Sequence, residues 1–460
     1  MRRYLIFSVV SLTLFMASVA GTTVSVAFPI IITELHASIA LSGWVLSVYQ
    51  LVSIGAMPLI AKMSDVLGRK RIFMMCTLLF TIGSTLSAFA PNVILLIVAR
   101  AVQAIGGGGF LPAATGIVSE EFPETRQRTI GLFSSIFPIG AIVGPNLGGW
   151  MIASLGWKSV FWVNIPAGII ILLLSGLLLR SGFSGRAKID FVGAGLLIIS
   201  ISSLMLALTE FGAEKSAMTW IMASLFLVLS ITLLFIFFWW ERRASEPIIN
   251  LELLRERPFV AANVYNLIYG ACAFGIFSLI PLYAVSVYGL TTFESGLILT
   301  PRSVGMMIAS VITSFFLVKW GYRKPILLGT LIVALGLFLL ALELHGFITG
   351  GFSISPMVLL LSIMFVTGLG VGMSAPAANN ACIELMPNQV ATITGLRGMF
   401  RNIGGALSIA IATLLIENTS DINHAFFIIF TALALILLLS VPMVFIMPNN
   451  PTVNNVRSEA

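Results

Sequence analysis

Long apolar stretches alternate with short polar ones from one end of the chain to the other. A helix needs about 20 mostly apolar residues to cross the hydrocarbon core of a bilayer, and each apolar stretch reaches about that length. The pattern predicts fourteen membrane-spanning helices, at approximately 5–32, 42–63, 72–90, 94–118, 128–153, 159–180, 190–211, 217–240, 258–287, 293–318, 325–345, 354–385, 391–416 and 424–447. The polar stretches between them are too short for a folded soluble domain, and the polar tail 449–460 is predicted to be disordered.

Composition supports this interpretation. Hydrophobic residues make up 58% of the 460 residues, charged residues make up 9%, and the mean hydropathy is +1.06. An ordinary soluble domain carries about 25% charged residues, so we predict an all-α polytopic membrane protein. Cys76, Cys272 and Cys382 lie far apart in apolar stretches, which predicts neither a disulfide framework nor a metal site. The first apolar run begins like a signal peptide but continues long enough to span, so we interpret it as an uncleaved helix.

The basic residues lie mostly on one side of the predicted membrane. Nineteen of the 25 lysines and arginines fall on the side of the two termini and two on the opposite side. The remaining four lie within predicted spans, at Arg100, Arg302, Arg397 and Arg401. Positive charge marks cytoplasmic loops, so we predict a multi-pass protein of the plasma (inner) membrane with both termini in the cytoplasm. This distribution also explains the net charge of +7 without a nucleic-acid partner.

A faint internal repeat divides the chain. The segment 61–71 follows the second span much as 314–324 follows the tenth, and Asn-x-Gly-Gly occurs at both 146–149 and 402–405. Parallel repeats of six helices are known among membrane transporters. We therefore predict an N-terminal six-helix bundle at 1–182, two inserted helices with a linker at 183–257, a C-terminal six-helix bundle at 258–448, and the tail.

The segment GAIVGPNLGG, at 140–149, predicts a helix that packs closely on a neighbour. Gly140, Gly144 and Gly148 are spaced four residues apart, which places them on one stripe of a helix. Without side chains on that stripe, a second backbone can approach closely, as helices in lipid do. Pro145 removes a backbone donor and bends the helix, and Gly149 extends the small surface. The segment suits a joint in a moving bundle, and a plain packing face is the alternative.

The loop AKMSDVLGRKR, at 61–71, combines one acidic residue with a tight turn and basic residues. Asp65 is suited to accept hydrogen bonds from a helix N-terminus or to pair with Arg69. Gly68 permits the turn. A solvated loop on the basic side is the alternative, and it accounts equally for Arg69 and Lys70.

Polar residues inside the predicted spans are candidates for a substrate pathway. Arg100 and Gln103 lie one turn apart in an apolar helix, where an arginine costs at least ~2.5–3.5 kcal/mol. A partner or a water-filled cavity would explain its presence, and snorkelling towards the interface is the alternative. Arg302 is a second candidate, and Tyr265 and Asn266 would add polar groups to the same cavity. The glycines at 106–109 are not a nucleotide loop, because no Gly-Lys-Ser/Thr follows them, so no cofactor is predicted and we expect a gradient as the energy source.

Together these strings resemble motifs of the major facilitator superfamily. The segment 61–71 resembles motif A, 99–109 resembles motif B, and 140–149 resembles motif C of the antiporters. The string WKSVFWVNIPAG, at 157–168, resembles one found in the fourteen-helix drug:proton antiporter branch. The resemblance implies two six-helix bundles with two inserted helices. It also implies export of amphipathic, often cationic, small molecules by proton antiport and alternating access, with Asp65 as a gate latch.

The sequence departs from that branch at one informative position. Ala20 stands where the branch carries a helix 1 aspartate that is a proposed proton site. Glu34 and Glu294, at the outer ends of the first and tenth spans, are the alternative coupling sites that we predict, although solvated helix-end charges explain them as well. A proton-independent facilitator or importer of a small metabolite therefore stays open as a second function. We find no catalytic cluster, so an enzyme is not expected.

Overall fold

The computed structural model describes residues 2–122, 129, 133, 136–179, 190–212, 217–244, 247, 253–344, 347–349, 352–385 and 390–449. Nearly all of these residues are helical, which confirms the predicted all-α class. The described ranges also contain two short strands, β1 (Phe347–Thr349) and β2 (Phe352–Ile354). They pair antiparallel in the loop before the twelfth predicted span.

The first half of the chain contributes six spans, the sixth of them broken after one turn. The helices are α1 (Arg2–Glu34), α2 (Ile39–Leu67), α3 (Arg69–Ala88), α4 (Val93–Glu121), α5 (Ile136–Leu155), α6 (Ser159–Trp162) and α7 (Asn164–Leu178). Polar caps fix two of the helix starts, because the Ser38 and Asn92 side chains accept from backbone N–H groups in the first turns of α2 and α4. Gly68, at φ 94°, makes the turn between α2 and α3.

The other eight spans are formed by ten helices, since α10 with α11 and α16 with α17 each make one span. These helices are α8 (Phe191–Gly212), α9 (Ala217–Glu241), α10 (Arg257–Gly270), α11 (Ile280–Tyr288), α12 (Thr292–Trp320), α13 (Arg323–Ala341), α14 (Pro356–Ile383), α15 (Val390–Asn418), α16 (Ile422–Leu439) and α17 (Val441–Ile446). A short 3₁₀ turn, Leu253–Arg255, precedes α10. Thirteen helical segments in the described ranges are long and apolar enough to span, and the α5 region adds a shorter apolar helix at Ile139–Leu155. These fourteen match the predicted spans, except that residues 128, 130–132, 134 and 135 of the fifth span, 180 of the sixth and 345 of the eleventh lie outside the described ranges.

The ninth predicted span is not one uniform helix. Between α10 and α11 the backbone forms a π-helical turn, Ala271–Gly275, and then a 3₁₀ turn, Ile276–Leu279. Helix α15 packs against this segment so closely that a Cβ on Gly270 would lie 2.0 Å from the Arg401 carbonyl oxygen. The apolar periodicity could not reveal this break, because it depends on contacts with a distant helix.

The outer surface of the bundle is apolar. Leu177, Phe235 and Phe315 are 82%, 74% and 81% exposed. A contiguous surface of this kind is unfavourable in water but is matched to lipid tails. The chain is therefore a multi-pass membrane protein.

The two halves meet along two seams. Helix α2 packs against α15, and α5 packs against α12. The α2–α15 pair is antiparallel, since Gly43 faces Thr413 while Met57 faces Gly398. The end at which Arg2 and Asn449 lie is called the basic end, and the other the far end. The inserted helix α8 packs on α9 and also on both α2 and α15, where Trp44 donates to Thr209 at 2.9 Å.

Helix α5 meets α1 through its glycine stripe. An added Cβ on Gly140 would lie 2.6 Å from the Ser18 side chain, one on Gly144 would lie 1.9 Å from the Thr22 hydroxyl, and one on Gly148 would lie 2.9 Å from Thr23. A real Cβ does not tolerate such distances, so the backbones touch because these residues are glycine. The stripe is a packing face within the first half.

We expect Gly144→Leu to lower the unfolding temperature and to block transport while the protein still inserts, because the side chain separates α1 from α5. The matched control is Gly195→Leu on α8, where an added Cβ meets no atom within 4 Å. Thermal unfolding in detergent and flux in proteoliposomes measure both. Normal flux by well-expressed Gly144→Leu protein would contradict the packing role.

Candidate functional site

A proline on α5 frees a backbone carbonyl that the other half of the protein then binds. Pro145 has no N–H, so it cannot bond the Ala141 carbonyl one turn earlier. The Ser303 hydroxyl of α12 donates to that carbonyl at 2.9 Å. In a membrane such freed groups are satisfied by hydroxyl side chains of neighbouring helices. The proline therefore supplies the acceptor for a hydrogen bond between the halves.

Further contacts extend this seam towards the far end. The Asn146 amide donates to the Thr300 hydroxyl at 2.6 Å. Gly296 leaves room for the Pro145 carbonyl, which would lie 2.6 Å from a Cβ at that position. Gly149 packs on Phe293, with 3.3 Å between its built Cβ and the Phe293 Cα. Gly149 thus contacts the second half, whereas the glycine stripe at Gly140, Gly144 and Gly148 contacts α1.

The halves are also joined at the far end of the α2–α15 seam. The Glu417 carboxylate, from the end of α15, accepts from the Ala40 N–H in the first turn of α2 at 3.0 Å. An anion at a helix N-terminus is favoured by the helix dipole. At the basic end, within the described ranges, α4 and α14 lack the extensive packing that joins α2 to α15. The structure is therefore closed at the far end.

Arg100 lies in a polar network inside the first half. Its side chain is 2% exposed and donates to the Val45 carbonyl at 3.2 Å and to the Gln103 side-chain oxygen. Gln103 in turn donates to the Ser84 hydroxyl at 2.7 Å. The guanidinium stacks 4.5 Å from the centre of the Tyr49 ring. Arg100 does not snorkel, because its partners belong to α2 and α4.

Three side chains from other helices bond the broken segment between α10 and α11. Arg302 donates to the Ala273 carbonyl at 2.8 Å, Gln50 of α2 to the Phe274 carbonyl at 3.3 Å, and Ser408 to the Ala271 carbonyl at 3.0 Å. Irregular backbone at membrane depth is tolerated where protein groups satisfy it. Through Gln50 the segment also contacts the first half.

Two further arginines of the second half lie on α15. Arg401 stacks 4.3 Å from the centre of the Phe274 ring, while Arg302 stacks 4.1 Å from that of Phe277. Arg397 donates to the Asn266 amide oxygen at 3.1 Å and to the Asn379 amide oxygen at 3.2 Å. All three arginines lie within electrostatic range of the Tyr269 hydroxyl. The structure thus brings Arg302 and Asn266 into one polar cluster.

Of the other predicted substrate and coupling residues, Tyr265 borders this cluster, and Glu34 and Glu294 lie at the far end. The Tyr265 hydroxyl contacts the Thr330 hydroxyl of α13 at 3.1 Å, and its ring stacks on Tyr269. Glu34 accepts from the Trp157 indole at 2.9 Å at the far end. Glu294 forms a capping box with Thr291 at the start of α12. Both carboxylates thus hold helix ends in place.

The loop between α2 and α3 joins α3 to its neighbours in the first half. Arg69 lies 3.2 Å from the Glu120 carboxylate of α4 and donates to the Gly116 carbonyl, and Lys70 donates to the Gly176 carbonyl of α7 at 2.8 Å. The side chain of Asp65 lies outside the described part of the structure.

The second half has a comparable arrangement between α12 and α13. Tyr322 donates to the Glu384 carboxylate at 2.8 Å, and Arg323 donates to the Met447 carbonyl. Burial and the neighbouring carboxylate raise the pKa of Tyr322, so the phenol stays a neutral donor at physiological pH.

A bundle of fourteen apolar helices with arginines and amides held in polar networks inside each half is typical of a membrane transporter of small molecules. The sequence pattern that defines the Major Facilitator Superfamily matches residues 10–409 of this chain. The chain belongs to that superfamily.

Relatives of similar length support this assignment. Multidrug resistance protein 3 of Bacillus subtilis is 32% identical over 90% of this chain and 80% of its own length. Multidrug transporter protein MdtP of Bacillus subtilis is 30% identical over 89% of this chain and 74% of its own. Among solved structures, a peptide transporter in complex with sulfate has a TM-score of 0.69 at 18% identity, covering 96% of this chain and 95% of its own. A D-xylose-proton symporter has a TM-score of 0.67 at 15% identity, covering 96% and 97%. The last two show the fold alone.

Six residues of these networks and seams were absent from the predicted site: Tyr49, Gln50, Ser303, Arg397, Arg401 and Glu417. Three had a signal in the sequence. Arg397 and Arg401 are charges inside spans, and Pro145 implies a donor such as Ser303 on a neighbouring helix. The others had none, since amides, tyrosines and helix-end acids occur throughout the chain.

We expect Ser303→Ala to cost about 1–3 kcal/mol, because the Ala141 carbonyl is left buried without a donor. In a Pro145→Ala background the restored N–H bonds that carbonyl, so the same substitution should cost less. A double-mutant cycle by thermal unfolding measures the difference, with Ser154→Ala on the exposed face of α5 as control. Equal losses in both backgrounds would show that proline and serine are not coupled.

We expect Arg100→Ala to abolish transport and Arg100→Lys to retain part of it, because an ammonium cannot stack on Tyr49 and bond two acceptors at once. Arg243 provides the matched control, since it stacks 3.9 Å from the centre of the Trp239 ring at an exposed position. Proteoliposome flux is the measurement. Full activity of Arg100→Ala would leave the network without a role in transport.

Proposed function

We propose that this transporter exports amphipathic small molecules by alternating access. Relatives at about 30% identity that are named multidrug transporters and resistance proteins support this function. Arginines, amides and aromatic rings between the halves are suited to bind ligands with a polar group and an apolar body. The contact pattern that carries the proposal is a far end closed by Glu417 and Gly149, with no matching packing of α4 on α14 at the basic end within the described ranges.

The basic end faces the cytoplasm in this proposal, because cytoplasmic loops carry an excess of lysine and arginine. The closed far end then faces outward, and the cavity opens inward to collect its substrate. Residues 1–182 and 258–448 would move as two bundles, with 183–257 as an insert. Asp65 would latch the cytoplasmic side in the opposite conformation.

Proton antiport is the energy source that we propose. Ala20 is 2% exposed and carries no titratable group at the usual site. The remaining candidates are helix-end carboxylates, of which Glu34 and Glu294 lie at the far ends of α1 and α12. A proton-independent facilitator is the second candidate function. The observation that favours it is that no described carboxylate lies within salt-bridge distance of Arg100, Arg302, Arg397 or Arg401.

Flux from proteoliposomes under an imposed pH gradient tests the function. The wild type should export dyes of several charge types faster than empty liposomes, and the gradient should increase the rate. We expect Glu34→Gln or Glu294→Gln to weaken this dependence and Ala20→Asp to strengthen it. The Glu210→Gln variant, at another far-end acid, is the control.

The outcomes separate the two candidate functions. Flux that does not depend on the gradient would identify a facilitator. Unchanged proton-driven flux in both Gln variants would remove the far-end acids as coupling sites. Flux equal to that of empty liposomes for every dye would contradict export of amphipathic molecules.

A further inference from the structure

The polar cluster of the second half is positively charged and lies deep in the membrane. Arg302 is ten residues into α12 and Arg401 is eleven residues into α15. Each helix has 29 residues, so both arginines lie about three turns or more from either helix end. Both contact the same broken segment, Arg302 through the Ala273 carbonyl and Arg401 through the Phe274 ring, so the two side chains lie near one level.

These two arginines differ from Arg100 and Arg397 in their access to solvent. Arg100 and Arg397 are 2% and 7% exposed, with their donors mostly satisfied. Arg302 and Arg401 are half-buried, and among the described residues only one of their terminal nitrogens has a protein acceptor, the Arg302 Nη2 that donates to the Ala273 carbonyl. The Nε of each is buried without a partner, so the other terminal nitrogens are the donors left for a molecule that binds here.

The face of α15 that meets the first half is fixed by its contacts with α2. Gly398 and Gly405 of α15 meet Met57 and Gln50 of the first half. Arg401 lies three residues after the first and four before the second, which places it on the same stripe. Arg401 therefore lies on the side of α15 that faces the first half.

The charge of this cluster is not balanced by acidic side chains. Among the described residues, the electrostatic partners of Arg302 and Arg401 are Tyr269 and Arg397, and no carboxylate is one of them. Stacking on Phe277 and Phe274 and bonds to carbonyls offset part of the cost of burial. An anion between the two guanidinium groups would supply the negative charge that no described side chain provides.

Resting on the proposed export function, we propose that the substrates are anionic amphiphiles. Their carboxylate or sulfonate group binds between Arg302 and Arg401, and their apolar body packs on Phe274 and neighbouring side chains of the broken segment. A guanidinium matches a planar or tetrahedral oxyanion with two parallel hydrogen bonds. This preference is opposite to that for cationic compounds.

Two fluorescent probes that share one ring system and differ in charge test the proposal. They are an anthracene sulfonate and an anthracenylmethyl trimethylammonium, both permanently charged, so neither partitions with pH. Their binding to the full-length protein in phosphatidylcholine nanodiscs is measured by fluorescence anisotropy. The variants are Arg302→Gln, Arg401→Gln and the two corresponding lysine substitutions, with Arg242→Gln at an exposed basic-end site as control.

The sulfonate should bind the wild type at least about tenfold more tightly than the ammonium probe. Each Gln variant should lose about tenfold in sulfonate affinity and gain or keep affinity for the ammonium probe, while the lysine variants should lose less and the Arg242 control nothing. Tighter wild-type binding of the ammonium probe would overturn the proposal. Equal losses for both probes in the Gln variants would also overturn it, because they indicate general damage to the site.

Two further measurements distinguish a substrate from a bound lipid and binding from transport. Anionic lipid carries the same chemistry, so loss of sulfonate binding when phosphatidylglycerol is added would assign the site to a lipid headgroup and overturn the small-molecule assignment. Flux is measured in proteoliposomes with the same probes. Absence of flux with intact sulfonate binding would contradict the export function and leave the anion site standing, whereas flux of the ammonium probe alone would contradict the anion site.

Discussion

Close approach of helix backbones is the constraint on which this structure depends. Lipid tails are as apolar as leucine, so burial gives little drive for two membrane helices to associate. Attraction must come from dispersion and from hydrogen bonds, and both require short distances. Helices α1 and α5 reach those distances at Gly140, Gly144 and Gly148, while Gly296 lets α12 approach Pro145. Between the halves, Gly296 brings the backbones of α5 and α12 close enough for the polar contacts of Asn146 and Ser303 to form.

The buried arginines are stabilised by rings and carbonyls where soluble proteins commonly use carboxylates. Arg100, Arg302 and Arg401 each stack on an aromatic ring at 4.1–4.5 Å from its centre. A ring face attracts a cation without adding a charge of its own. These arginines thus keep their positive charge, which can attract an anionic ligand. An internal salt bridge would have neutralised that charge.

Much of the fold could be predicted from the sequence because its signals are local. Apolar length indicated the fourteen spans, and spacing placed the glycine stripe of α5 on one helix face. The same reasoning could not place Gly149 on Phe293, or give Arg302 the carbonyl of Ala273, because those contacts join residues far apart in the chain. The break between α10 and α11 was missed for the same reason: glycines at 270 and 275 are ambiguous until α15 is packed against them. Sequence reasoning placed Arg100 and Arg302 in the site but not their partners on other helices, and it left out Arg397 and Arg401.

The inserted helices make the two flanks of the protein unequal. Helix α8 covers the seam of α2 and α15, where Ile198 fills the space above Gly55, and α9 packs outside it. Within the described ranges, the seam of α5 and α12 has no such covering helix. Under the alternating access that we propose, we expect that flank alone to open towards the lipid. Molecules dissolved in the bilayer would then enter from one side, through a single lateral opening.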